Sequence, residues 1–280
     1  MSNRQSSTGA WVVAVIVVVA VLAAGGYMVY RAMHPAASSV PAGGVPTATV
    51  ASAPAAIRHP IAQASVPASA STAPLPPLAS SDASVLSALD ALAGGKELAS
   101  LLVPRQIITR IVATVIALPQ RSMGRSILPV RAPAGIFAVA TRSDGSTVMA
   151  ASDARRYAPY VQAAQAVDAK ALVDWYVHAY PLFQQAYRDL GYPHGYFNDR
   201  LIATIDNLLA TPELSQSAGL VQVNQNYQYV DPNLESLSVG QKMLLRAGPA
   251  GEAAIKAKLR AVRAQLTGRD LSPAAASTAP

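Results

Sequence analysis

The sequence predicts a mainly α-helical protein: a single transmembrane helix, a disordered stalk, then a multi-helix globular domain with one or two small β-hairpins. Three observations carry that prediction. Residues 9–30 contain no charged side chain and are dominated by Val, Ala, Ile and Leu. Residues 35–77 are built mainly from Ala, Pro, Ser, Thr, Val and Gly, a composition that cannot bury enough apolar surface to offset its ordering entropy. From residue 78 onward, apolar residues recur three and four apart between glycine and proline breaks. The predicted division is a short cytoplasmic tail (1–8), the transmembrane helix (9–30), the stalk (31–77), the helical domain (78–270) and a disordered tail (271–280).

The apolar run is 22 residues long, which as a helix measures about 33 Å and suffices to cross a bilayer core of about 30 Å. Trp11 lies at one end and Tyr27 and Tyr30 at the other, where interfacial aromatics belong, and Arg4 and Arg31 bracket the run. A cleavable signal peptide is the alternative, but its apolar region is usually only about 7–15 residues. Flanking positive charges are close to a tie. The stalk decides the orientation, because proline-rich stalks hold a domain away from the membrane on the far side. The expected location is the bacterial inner membrane, single-pass, with the domain in the periplasm.

Within the domain, Ser80-Ser81-Asp82 offers an N-cap for a helix carrying Val85, Leu86, Leu89 and Leu92, closed by Gly94-Gly95. Pro104 suits a first helical position ahead of Ile107, Ile108, Ile111, Val112 and Val115, and Pro119 stops that helix. Residues 120–133 form a loop. Residues 136–141 and 147–150 flank Ser143-Asp144-Gly145 as a hairpin. Helices are predicted over 154–167 and 169–179, with Pro181 starting another or kinking the second, and Gly191 ending the run. A further helix spans 198–210, with Asn198 as its cap. Two short strands surround residues 224–226, Asp231-Pro232 opens a helix running to residue 246, and a last helix follows Gly248-Pro249.

Several strings in this domain are distinctive. They are Arg155-Arg156-Tyr157-Ala158-Pro159-Tyr160, Tyr180-Pro181-Leu182-Phe183-Gln184-Gln185-Ala186-Tyr187 and Leu190-Gly191-Tyr192-Pro193. Tyr196-Phe197-Asn198-Asp199-Arg200 leads to Ile205-Asp206-Asn207-Leu208-Leu209, and Asp231-Pro232-Asn233-Leu234-Glu235 leads to Gly240-Gln241-Lys242. Together they resemble a bacterial family known only as domain of unknown function 3014, over about residues 75–266. Val115-Ile116-Ala117-Leu118-Pro119 departs from the family pattern, which has an acidic or amide residue before Leu-Pro. The resemblance implies a transmembrane helix, a low-complexity stalk and this domain. It transfers no catalytic residue.

The chain has no cysteine, which excludes disulfides, thiolate metal sites, iron–sulfur clusters and a cysteine nucleophile. His178 and His194 are the only domain histidines and sit in no metal-ligand spacing, so no metal and no cofactor is expected. Neither a Gly-x-Ser-x-Gly elbow nor a phosphate-binding loop is present. Ten aromatic residues lie within positions 157–197. Tyr176, Tyr180, Phe183 and Tyr187, spaced by three or four, read as a core seam, and a minority of the rings read as lining a groove. The predicted binding residues are Tyr157, Tyr160, Tyr192 and Tyr196 with Arg155 and Arg156. Asp199 and Asp206, seven apart on one predicted helix face, are the candidate catalytic carboxylates. Asp199 also reads as an early-turn carboxylate stabilised by the helix dipole.

The net charge of +7 is segregated. Residues 105–156 carry +6, residues 168–235 carry −5 and residues 242–270 carry +5. Either the blocks pair within the domain, or they present basic faces to anionic partners. On the last helix Lys256, Lys258, Arg260 and Arg263 are predicted to oppose the apolar stripe. Nucleic acid as a partner requires a cytosolic domain and is not expected. The expected function is binding of an envelope protein or cell-wall component without catalysis; the alternative is a wall-active glycan hydrolase.

Overall fold

The computed structural model describes residues 57–61, 74–93, 98–133, 135–224 and 226–268. The predicted cytoplasmic tail, the transmembrane span, residues 31–56 and 62–73 of the stalk, the Gly94-Gly95 helix end and the tail from residue 271 lie outside the described residues. Among the described residues no helix is long and apolar enough to cross a membrane.

The domain is mainly helical, with one small antiparallel sheet. After a 3-10 turn at Leu78–Ser80 come α1 (Asp82–Leu92), α2 (Leu98–Leu101) and α3 (Ile107–Ala117). A hairpin of β1 (Val139–Thr141) and β2 (Thr147–Met149) precedes α4 (Ala151–Arg155), α5 (Ala158–Ala166), α6 (Ala169–Asp189) and α7 (Phe197–Leu209). A second hairpin, β3 (Gly219–Val223) and β4 (Asn226–Tyr229), leads into α8 (Pro232–Glu235), α9 (Val239–Arg246) and α10 (Gly248–Thr267).

At the centre stands α6, which buries nine side chains including Trp175, Tyr176, Phe183 and Tyr187. Asp168 caps it by accepting the Ala171 amide at 2.8 Å. Pro181 does not start a new helix: its exposed ring lies inside one continuous helix, on the side facing away from the core. The missing hydrogen bond is tolerated because burial of the opposite face holds the helix together. Helices α3 and α10 pack along α6, and α10 also lies against α5 and α7. The apolar stripes predicted for α3 (Ile107, Ile108, Ile111, Val112, Val115) and α10 (Ile255, Leu259, Val262, Leu266) are buried in the shared core.

Three sequence expectations about helix boundaries are corrected, and the pairing of the hairpins is new. Pro104 does not open α3. That helix begins at Ile107 because the Asp82 carboxylate accepts the amides of Gln106 and Ile107 at 2.7 and 2.8 Å. The helix expected over 154–167 is two, α4 and α5, with Pro159 in the first turn of the second, where its missing N–H costs nothing. The helix expected from Asp231 to residue 246 is also two, because Ser238 and Gln241 form a capping box that starts α9 afresh. Finally, the two hairpins are not separate. They join in one four-stranded sheet of order β1-β2-β3-β4 through the β2–β3 pairs Thr147↔Leu220 and Val148↔Gly219.

Two stretches counted with the stalk lie on the domain: residues 74–77, leading into the first turn, and residues 57–61. Ile61 and Leu75 pack against the core as partly buried apolar groups.

Candidate functional site

The best-formed polar site lies where α6 hands over to α7. Gly191, with φ of +99°, closes α6 as expected and turns the chain. Tyr192 then returns onto Tyr187, their rings parallel with centroids 4.7 Å apart. Gly195 has to be glycine, since a Cβ there would lie 2.6 Å from Cε1 of Tyr187. Gln184 pins the returning loop. Its Nε2 donates to the Gly195 carbonyl at 2.8 Å, and its Oε1 accepts the Phe197 amide at 2.9 Å and the Tyr180 hydroxyl at 2.7 Å.

That loop fixes three consecutive polar groups. The Tyr196 ring packs on Tyr180, centroids 5.4 Å apart. Asn198 is 1% exposed, and its Oδ1 accepts the Tyr176 hydroxyl at 3.2 Å, which orients its amide. Asp199 lies in the first turn of α7, where the helix dipole favours a carboxylate. All three converge on residues 57–61. Asp199 Oδ2 accepts the Arg58 amide at 3.0 Å, and Oδ1 accepts the His59 amide at 2.8 Å. Asn198 Nδ2 donates to the His59 carbonyl at 2.8 Å, and the Tyr196 hydroxyl accepts the Ile61 amide at 2.8 Å. Every one of these bonds is made to main chain. Pro60, which has no amide, lies between the two read residues His59 and Ile61.

Burial pushes the Tyr176 hydroxyl well above its usual range, with Tyr180, Tyr196 and Asp199 adding to the effect. Tyr180 is raised by burial and then by Tyr196. Both phenols therefore stay protonated at neutral pH and act as neutral hydrogen-bonding groups. The arrangement is a clamp for a bent main-chain segment: residues 58 and 59 lie in a bend and Ile61 in a 3-10 turn, which is what lets two consecutive amides face one carboxylate. Hydrogen bonds to the charged carboxylate contribute about 1.5–3 kcal/mol each and the neutral ones about 0.5–1.5.

The predicted site residues fall in two places. Tyr192, Tyr196 and Asp199 come together at the clamp, where Arg200 lies over the Tyr192 ring at 5.9 Å. Arg155, Arg156, Tyr157 and Tyr160 lie on and between α4 and α5. There Tyr157 and Tyr160 are core residues, 0% and 5% exposed, and offer no accessible ring. Arg156 pairs with the buried Asp153 and donates to the Gly135 carbonyl at 2.9 Å, so it braces the preceding loop. Arg155 is exposed. Asp206, two turns beyond Asp199, pairs with Arg263 of α10, whose second guanidinium nitrogen lies 3.3 Å from Oδ2. The two carboxylates thus have separate partners. Asn198 is no cap, since α7 starts at Phe197 and the Asn198 side chain turns inward.

Sequence reasoning missed Gln184, the role of Asn198 and the docked segment. One signal was there to be read. Ile57 and Ile61 are the only isoleucines of the 31–77 stretch, and Arg58 is its only fixed charge after Arg31.

Among the described residues no group of three His, Asp or Glu side chains could hold a metal ion. No curated protein and no solved structure matches the chain. The clamp residues and all four strands fall within residues 107–263, which match the family described as "Protein of unknown function (DUF3014)", and the chain belongs to that family.

Proposed function

We propose that this chain is a single-pass protein of the bacterial inner membrane whose periplasmic helical domain binds an envelope protein or cell-wall component without catalysis. The observation that carries this reading is the clamp itself. Tyr196, Asn198 and Asp199 hold main-chain groups at hydrogen-bonding distance, a geometry suited to recognition. The apolar span at residues 9–30 and the proline-rich stretch after it support the tethered placement. Glycan hydrolysis would need Asp199 and Asp206 to act on one bond, and nothing in the geometry favours that. One carboxylate holds two amides and the other an arginine.

The test is chemical crosslinking of the native full-length chain in cells, followed by co-purification. A reproducible envelope partner or wall polymer is the expected outcome. Repeated recovery of the chain alone would overturn the reading.

A further inference from the structure

We propose that the Tyr196–Asn198–Asp199 clamp is a binding site for bent peptide segments of a partner protein, and that residues 57–61 occupy it as a resident ligand in cis. The inference rests on the binding reading above and adds the chemical class of the ligand.

Four features argue for it. First, the clamp reads a main-chain pattern: two consecutive amides, the carbonyl of the second residue, and an amide two residues further on. A partner's segment with the same bend can present the same groups, with proline tolerated between the residue whose carbonyl is read and the last amide. Second, the reading groups are preorganised by contacts that do not involve the ligand. Tyr176 orients Asn198, Tyr180 backs Tyr196, and Gln184 fixes the loop they sit on. Third, the occupant is held shallowly. Ile57 is 55% exposed and Arg58 is exposed, and Ile61 is the only one of the five residues counted among the apolar groups packed on the core. Fourth, clamp and occupant are distinct in the chain. The three clamp residues lie within the family-matched 107–263, and the occupant lies well before it, joined to the domain through residues 62–73. A link of that length presents its own segment at about millimolar effective concentration. A resident held so shallowly still excludes weak ligands while yielding to a better-fitting one.

The test uses the full-length chain in detergent micelles and a fluorescent peptide spanning residues 55–63. Its anisotropy is followed with the native chain and with a chain whose residues 57–61 are replaced by Gly-Ser-Gly-Ser-Gly. Saturable binding to the replaced chain is expected, at least tenfold tighter than to the native one. Adding Asp199→Asn to the replaced chain should weaken it at least tenfold, Asp206→Asn less than twofold. Methylating the His59 amide nitrogen of the peptide should abolish it. A replaced chain that melts cooperatively yet binds no peptide, or binds it regardless of Asp199→Asn or of the methylation, overturns the proposal.

If the replacement unfolds the chain, the native chain answers instead. Millimolar peptide should accelerate hydrogen exchange at the amides of Arg58, His59 and Ile61, and unchanged exchange there overturns the proposal. A crosslinked partner still captured by a full-length Asp199→Asn chain would remove the peptide clamp and leave the binding-protein reading standing.

Discussion

Two buried residues show how environment sets the behaviour of single side chains here. Tyr157 is fully buried beside Asp153, and its hydroxyl has no hydrogen-bond partner among the described residues. Burial, with the Asp153 charge adding, pushes that phenol up to about 12 from 10.0. Between those two values the native chain keeps a proton that the unfolded chain has lost, so stability falls as pH climbs from 10 toward 12. The loss assigned to this group reaches about 2–3 kcal/mol near pH 12. Tyr157→Phe should remove that share, so urea midpoints measured at pH 9 and pH 11.5 should lie closer together in the variant. At neutral pH the variant should be as stable as the native chain or gain up to about 1 kcal/mol, because an unpaired buried hydroxyl is deleted and the ring kept. An equally steep alkaline loss in the variant would refute the assignment. Lys256 is the second case. The sequence places it on a solvated face, yet it is 1% exposed, with Nζ 2.6 Å from the Thr211 carbonyl and 2.8 Å from Glu252. Spacing shows Glu252 and Lys256 to be i,i+4 neighbours. It does not show that the 211–213 loop closes over them, because that contact spans more than forty residues of chain.

Among the elements, those with a long apolar period were legible and those defined by polar punctuation were not. The cores of α1, α3, α7 and α10 follow directly from residues three and four apart, since one buried stripe is all a helix needs. The break between α8 and α9 was also written in the sequence, as Ser238-x-x-Gln241, but its force appears only in three dimensions. Ser238 Oγ accepts the Gln241 amide at 3.2 Å, Gln241 Oε1 accepts the Ser238 amide at 3.1 Å, and both side chains also reach Asn207 of α7. The cap therefore sets where α9 begins and also ties it to α7. Ser238→Ala should cost about 1–2 kcal/mol, at the upper end for a cap because the Asn207 bond goes with it. Chemical denaturation reads this directly, and a change below about 0.3 kcal/mol would show that the box is ornamental. The β2–β3 pairing had no such signal. Two residue pairs join strands about seventy positions apart, and neither hairpin's own pattern requires a neighbour. The clamp belongs with these cases. Asp199 was visible as a carboxylate in a first turn, but its two amides come from a segment 140 positions away.

Across the whole molecule the segregated charge is partly paired internally. The basic block at 242–270 meets the acidic block at 168–235 through Lys242–Glu235 at 2.8 Å, Lys256–Glu213 at 3.3 Å, Arg260–Glu213 at 3.9 Å and Arg263–Asp206. Part of the basic block at 105–156 stays outward, with Arg105, Arg121, Arg131 and Arg155 exposed. Under the proposed membrane anchoring, which anions those arginines can meet depends on the side the domain occupies. A carboxyl-terminal reporter that is active only after export, compared with one that fluoresces only in the cytoplasm, decides this. The exported reporter should give the signal if, as proposed, the uncharged 22-residue span crosses the membrane and the proline-rich stretch after it carries the domain to the far side. The clamp would then face envelope peptides, and the arginines lipid headgroups or wall polymers, with nucleic acid removed from consideration. A cytoplasmic signal would defeat the stalk argument. It would also redirect the search for the clamp's ligand to cytosolic proteins and return the four exposed arginines to the foreground as a surface for polyanions, whose binding would weaken steeply with salt.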